Sequence, residues 1–358
     1  MKNMEANSLR IRYTVHPQQF VASIRTSVAN REDILKKIGE LMGEIPKESI
    51  QGTPFCIFYF VTSVADGIDV EYGVPIRSEF QSNTITFRTL PKMESFSMSH
   101  KGKLDDLGKA YEKVFQYAYK YGYPSQEFSR EVYTHISGNE NEHEIEVQFI
   151  IHPWNSLLVE NMIRELGAEQ QGKIMEGLQA IEIETPLEQK FEWLIGVLHK
   201  LENVTDESQR YNIISGCAHF FPEEMVIELR QVYEKARENT HTLIEAIDKT
   251  LEFMASHKGW GSLPIRKGNV LYTTKSPANP KAFVEARTHL ERIKAYCFCP
   301  IIRNFLDQNV SVTFCNCGAG WPKQLWEGVF RQPLRIVLVK SLTKGDEECQ
   351  FAVYLPGE

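Results

Sequence analysis

The chain has 358 residues, 42% of them apolar and 24% charged, with a net charge of −7. That length allows one to three domains with full cores and argues against bulk disorder. An acidic balance without a long basic run disfavours nucleic-acid binding by bulk electrostatics, and the longest apolar run, residues 55–61, is far too short to cross a bilayer.

The first third reads as two matching units. Residues 19–28 alternate as a strand, and Asn30-Arg31-Glu32-Asp33 then opens a helix whose apolar positions Ile34, Ile38, Leu41 and Met42 share a face. Residues 54–62 and 68–76 read as two more strands. After a linking strand at 85–88 the order repeats: a strand at 93–100, then a helix over 104–121 with Leu104, Leu107, Tyr111, Val114, Phe115 and Ala118 on one face, closed by Gly122. Strands at 130–136 and 144–151 complete it, parted by the turn-rich Ser137-Gly138-Asn139-Glu140-Asn141. This predicts an α+β fold: a duplicated βαββ unit forming an antiparallel sheet, with both helices on one face and a cleft on the other.

The repeat carries its own functional signal. Glu71 and Glu144 stand about 73 positions apart, each on the last strand of its unit. A carboxylate offered to an apolar seam points to binding or chemistry, because burying an unpaired charge is costly. Two such groups can divide acid and base roles, since mutual repulsion raises one pKa. For Glu144 the plainer reading is a solvated strand face. Glu71 has a plainer reading too, as one polar group among the polar neighbours Asp69 and Tyr72 on its strand.

His152-Pro153-Trp154-Asn155 breaks the pattern and places a domain boundary, giving units 1–152 and 153–358. The second unit reads as mostly helical, with helices at 157–166, 187–201, 224–237, 240–256 and 280–296. Gly259-Trp260-Gly261 and Ser276-Pro277-Ala278-Asn279-Pro280 mark a loop region. Residues 334–341 and 349–355 around Lys344-Gly345-Asp346 read as a C-terminal β-hairpin.

Four of seven cysteines form two Cys-x-Cys pairs, Cys297/Cys299 and Cys315/Cys317. Two chelating pairs separated by a loop suit tetrahedral zinc, with Cys349 and His219 as spare ligands. The alternatives are buried unmetallated thiols, or a redox or thiol sensor near Arg303, Lys323 and Arg331. Gly318-Ala319-Gly320-Trp321 lacks the Lys-Ser/Thr of a nucleotide loop and reads as a tight turn. The opening residues 1–8 carry no apolar signal region, so a cytoplasmic location is expected.

Taken together, Leu90-Pro91, Ser99-His100-Lys101-Gly102 ahead of a helix, Tyr111, Arg130-Glu131-Val132-Tyr133 and the strand Glu144-Ile145-Glu146-Val147 resemble the GyrI-like small-molecule-binding family over about residues 10–152. This is the effector-binding module of AraC- and MerR-type multidrug regulators, found also as stand-alone proteins. Gln148 stands where the family usually has a proline, and Tyr117 and Tyr119 where a tryptophan is common. The resemblance implies a cleft for a lipophilic, often cationic or polycyclic compound, with Glu144 and Glu71 as the carboxylates and Tyr133, Tyr111 and Tyr72 as walls. Each tyrosine has the plainer reading of a core aromatic, and His100 that of a hydrogen-bonded structural histidine. Some stand-alone relatives are hydrolases that open strained rings, and there the cleft glutamates act in catalysis. The expected partner is therefore a small molecule, without nucleic acid or membrane, and with a homodimer or protein contact open to the second unit. That unit resembles a helical family of no assigned activity through Cys297-Phe298-Cys299-Pro300, Cys315-Asn316-Cys317-Gly318-Ala319-Gly320-Trp321 and Gly345-Asp346-Glu347-Glu348-Cys349.

Overall fold

In the computed structural model, which describes residues 10–59, 68–177, 181–257, 260 and 262–357, the chain divides into two units, Met1–His152 and Pro153–Glu358. The first is built on one antiparallel sheet. Its strands are β1 (Arg12–His16), β2 (Gln19–Val28), β3 (Phe55–Tyr59), β4 (Ile68–Pro75), β5 (Thr86–Leu90), β6 (Met93–Lys101), β7 (Ser125–His135) and β8 (Glu144–Ile151), in the order β1-β6-β8-β7-β3-β4-β2-β5. β1 was not anticipated, and residues 60–62 of the expected second strand lie outside the described residues.

The order explains the sequence of β3. Phe55-Cys56-Ile57-Phe58-Tyr59 is almost continuously apolar because it lies at the sheet centre, covered on both faces. β3 also pairs with β7, its counterpart in the other repeat, so the pseudo-two-fold axis passes between them. The outer strands cross over: β1, which precedes the first repeat, pairs with β6 of the second, and β5 pairs with β2 of the first.

Both helices pack on one face. α1 (Arg31–Glu44) lies on β2 and β4, and α2 (Leu107–Lys120) on β6 and β8. Asn30 caps α1 by accepting the Asp33 amide at 3.0 Å, and Glu32 and Asp33 suit the positive end of the helix. This cap fixes Arg31 as the first helical residue. Gly122, at φ 78°, follows α2 in the left-handed conformation that closes a helix. The opposite face is concave. Val21, Phe55, Ile57, Leu90, Met93 and Ile150 form one buried cluster there, although β2 and β6 stand near opposite ends of the strand order. Gly73 belongs to this tight curl, since a Cβ on it would lie 2.7 Å from the Phe55 ring.

The register corrects the repeat. The seventh residue of β2, Arg25, lies opposite Glu71, and the seventh of β6, Ser99, lies opposite Glu146. Glu146, not Glu144, is the counterpart of Glu71. A shift of two residues preserves the face of every side chain, so strand pattern alone did not discriminate between them.

The second unit is helical with a small sheet. Its helices are α3 (Trp154–Leu166), α4 (Ala168–Ile174), α5 (Leu187–Val204), α6 (Glu207–Ser215), α7 (Glu223–Glu238), α8 (Leu243–Ser256), α9 (Pro280–Glu285), α10 (His289–Tyr296), α11 (Pro300–Arg303) and α12 (Gly320–Phe330). The single helix expected over 280–296 is two. Thr288 accepts the Glu291 amide while Glu291 returns to the Thr288 amide, and this capping box starts a new helix after α9. Asp206 and Gln209 open α6 in the same way, a helix not expected from the apolar pattern. The C-terminal hairpin, β11 (Ile336–Lys340) with β12 (Gln350–Tyr354), forms as expected. It extends through β10 (Val270–Thr274) and β9 (Ile265–Lys267) into a sheet of order β11-β12-β10-β9. Of the glycines that marked the loop before it, Gly259 and Gly261 lie outside the described residues.

Candidate functional site

Glu131, in the middle of β7, is a fully buried charged residue of the first unit. It faces the helices and lies directly opposite Cys56 across the central strand pair. Its Oε1 accepts from Arg31 Nη1 at 2.6 Å and from the Tyr111 hydroxyl at 2.8 Å, and its Oε2 accepts from the Tyr133 hydroxyl at 2.7 Å. Ser129 Oγ lies 3.3 Å from the same Tyr111 hydroxyl. The first turn of α1, the middle of α2 and strand β7 thus converge on one carboxylate.

Burial by itself would lower the Arg31 guanidinium, but Glu131 beside it outweighs this and holds it above its ordinary value. Burial, reinforced by Glu131, pushes both tyrosine hydroxyls well up, so they stay protonated and donate. Aromatic rings surround the cation: the guanidinium carbon lies 5.1 Å from the Phe58 ring centre and 6.0 Å from that of Tyr111. Arg31 keeps 33% of its side chain exposed while Glu131 keeps none. The arrangement is an anionic, aromatic-lined socket whose mouth is filled by a cation on the chain itself.

Glu71 lies on the other face of the sheet, in the concavity. Its Oε2 accepts from Tyr59 at 2.5 Å, and Arg88 grips both oxygens, through Nε at 2.8 Å and through Nη2. Burial raises this carboxyl, but Arg88, Ser23 and Tyr59 outweigh burial and hold it below its ordinary value. Next to it Arg25 pairs with Asp69 at 3.0 and 2.8 Å and lies 3.8 Å over the Tyr59 ring. Further along the concave face, Arg130 donates to Gln148 (2.6 Å) and Gln19 (3.3 Å) and lies 3.1 Å from His16 Nδ1. Gln19 and His16 belong to strands at opposite sides of the sheet, so Arg130 ties the curl together. Burial lowers Arg130 to about 10; burial, then Arg130, lowers His16 to about 4.

The expected cleft residues are therefore divided. Tyr111 and Tyr133 do meet a buried glutamate, but it is Glu131. Glu144 is half-exposed at the start of β8 and pairs with Lys101 at 2.9 Å, so the burial expected for it is absent. Strands β7 and β3 stand between it and Glu71, which is already saturated, and the two carboxylates do not form a pair. Tyr72 is buried on the helix side of β4, with Glu40 and Glu44 of α1 among its neighbours. His100 bonds the Lys103 carbonyl at 2.9 Å, in keeping with its structural reading. What the sequence offered for Glu131 was its place in the Arg130-Glu131-Val132-Tyr133 motif, two positions before Tyr133 and so on the same strand face.

In the second unit Cys217, Cys297, Cys299, Cys315, Cys317 and Cys349 are all free thiols. Among the described residues no group of three or more His, Cys, Asp or Glu side chains is placed to hold a metal ion. Cys315 and Cys317 lie on a 3-10 segment, Val312–Ala319, that runs into α12, and each sulfur already has an oxygen partner. Gly320 sits at that junction because a Cβ there would fall 2.0 Å from the Ser215 carbonyl oxygen.

Residues 12–152 match the family model described as GyrI-like small molecule binding domain, and the first unit is a GyrI-like domain. Residues 278–356 match a family of unknown function (DUF6144). Among solved structures, the C-terminal domain of EcmrR is 22% identical, over 40% of this chain and 96% of that one, with a TM-score of 0.36. SAV2435 bound to tetraphenylphosphonium is 11% identical, over 41% and 97%, with a TM-score of 0.30. A hydrolase from Listeria innocua is 11% identical, over 42% and 95%, with a TM-score of 0.30. No curated protein matches. No helix among the described residues is long and apolar enough to cross a membrane.

Proposed function

We propose that the first unit binds a lipophilic cation at Glu131, and that Arg31 is the internal cation the ligand displaces. The observation that carries this is the Glu131 socket itself: a fully buried carboxylate with two tyrosine donors, closed by a partly exposed guanidinium beside the rings of Phe58 and Tyr111. A delocalised organic cation meets the same requirements as a guanidinium. It offers positive charge to Glu131 and flat apolar area to the rings, without a strongly held hydration shell. The swap is feasible because Arg31 stands on the first turn of α1 with one-third of its side chain in water, so its release requires no unfolding of the sheet. An anion meets Glu131 head-on and is rejected.

The test is titration calorimetry of the full chain with tetraphenylphosphonium. Binding is expected in the wild type, to be weakened at least tenfold by Glu131→Gln, and to be unaffected by Glu71→Gln. Equal binding by wild type and Glu131→Gln refutes the assignment of the site.

A further inference from the structure

The second unit carries a cavity of about 550 Å³, within the roughly 300–1,000 Å³ of small-molecule sites. One wall is built by the chain that follows β10. Lys275 extends that strand, its amide donating to the Cys349 carbonyl at 3.0 Å just before β12. The Tyr296 hydroxyl, at the end of α10, donates to the Lys275 carbonyl and accepts from the Cys349 amide at 3.1 Å. The Ala278 and Asn279 amides donate back to the carbonyls of Tyr296 and Ala295 at 3.2 and 2.9 Å. Residues 275–279 are thereby fixed between α10 and β12, and this wall needs no ordering when a ligand enters.

Charge on the lining is divided. Arg292 stands one turn before Tyr296 on α10, and its guanidinium carbon lies 4.4 Å from the centre of the Phe283 ring on α9. Stacking engages the flat face of a guanidinium and leaves its N–H edge free to grip a carboxylate. Lys275 is half-buried, with its ammonium 5.5 Å from the centre of the Phe298 ring. Among the described residues neither cation has an ion pair, although three acids line the same cavity. Two of those acids are engaged elsewhere: Glu348 accepts from Lys340 at 2.8 Å and Asp346 from the Ser341 amide at 2.8 Å. Glu347 is exposed and, among the described residues, has no ion pair. The cavity therefore offers two unpaired cations from the β10 and α10 side and an acidic turn from between β11 and β12. The Phe283 and Tyr296 rings, with centres 5.8 Å apart, supply its apolar area.

We propose that this cavity binds a small zwitterion with a flat apolar body, an aromatic amino acid being its simplest form. Arg292 and Lys275 hold the carboxylate, Glu347 and the turn beside it hold the ammonium, and the body lies against Phe283. A half-buried cation without a counter-charge loses hydration for little return, and a ligand carboxylate supplies the missing partner. A ligand with two negative charges is repelled by the acidic turn, and a plain amine by Lys275 and Arg292, so the lining selects a molecule that carries both signs. The ring faces give that molecule apolar contact and fix its orientation. The site belongs to the second unit and shares no residue with the Glu131 socket, so it stands or falls independently of cation binding there.

The test is titration calorimetry of the full chain at low salt with probes that share a phenyl ring: L-phenylalanine, 3-phenylpropanoate, which lacks the ammonium, and phenethylamine, which lacks the carboxylate. L-phenylalanine is expected to bind, 3-phenylpropanoate to bind about tenfold more weakly and phenethylamine not to bind, since each lost charge removes about one charge-assisted hydrogen bond. Arg292→Gln and Lys275→Met are each expected to weaken L-phenylalanine about tenfold, with tetraphenylphosphonium binding unchanged. Glu347→Gln is expected to weaken L-phenylalanine and to tighten 3-phenylpropanoate, a change of sign that a general loss of structure does not produce. Absence of L-phenylalanine binding at millimolar concentration overturns the proposal. So does equal binding of L-phenylalanine and 3-phenylpropanoate, or L-phenylalanine binding that survives unchanged in both Arg292→Gln and Lys275→Met.

Discussion

Arg31→Met gives the sharpest test of the Glu131 socket, because it removes the cation and keeps most of the stem's volume. Glu131 would retain its two tyrosine donors but lose its ion pair, a contact of 2.6 Å to a carboxylate with no exposure. Removing one partner of a fully buried pair costs about 3–5 kcal/mol. Arg31 is 33% exposed, so solvent screening reduces the expected loss to about 2–3 kcal/mol. For a unit of this size that is a fall of roughly 5–10 °C in the unfolding midpoint. Arg31→Met combined with Glu131→Gln leaves no unpaired charge and is expected to recover over half of the loss, in a double-mutant cycle read by scanning calorimetry. The same single variant should bind tetraphenylphosphonium more tightly, since the ligand no longer competes with a tethered cation. A pair worth about 2 kcal/mol corresponds to roughly a 30-fold gain in affinity. A destabilised Arg31→Met with unchanged or weaker binding would refute displacement and leave the ion pair as structure alone.

Three further outcomes follow from the same sheet. His16, held down to about 4 by burial and Arg130, is neutral in the folded unit at pH values where an unfolded chain, with its ordinary pKa of about 6.5, takes up a proton. The unfolded state therefore gains protons first as pH falls, and stability should drop between about pH 6.5 and 4. Because His16 is only partly buried, the screened contribution is about 1–2 kcal/mol, and urea unfolding should show this slope vanish in His16→Gln. Gly73→Ala would put a Cβ 2.7 Å from the Phe55 ring and 3.0 Å from Ser23. It should cost about 2 kcal/mol through overpacking, and Phe55→Leu in the same chain should relieve it, as measured by denaturant midpoints. Glu144→Gln, by contrast, breaks only an exposed pair with Lys101. It should leave both the unfolding midpoint and cation binding at wild-type values; a clear loss of binding would return Glu144 to the site.

The duplicated βαββ order, both helices and the C-terminal hairpin were legible in the sequence because each rests on local chemistry. Apolar periods of two or about four, an Asn cap before Arg31 and Gly122 after α2 act within a few residues of chain. The start of a helix at Thr288-x-x-Glu291 was legible by the same rule, although the longer apolar pattern masked it. Tyr111 and Tyr133 were named from the sequence, but the carboxylate they serve was not. Strand alternation places Glu144 and Glu146 on the same face and leaves their register open, and only pairing with β6 decides which one answers Glu71. The charge of Glu131 is likewise unremarkable in sequence; its meaning comes from Arg31, roughly a hundred residues earlier in the chain. The cysteine spacing offered four soft ligands, and the fold gives Cys315 and Cys317 separate oxygen partners. Sequence determined the elements and the types of group available, because those depend on neighbours along the chain. Tertiary structure decided which charges meet, because the electrostatics of a buried group depend on neighbours in space.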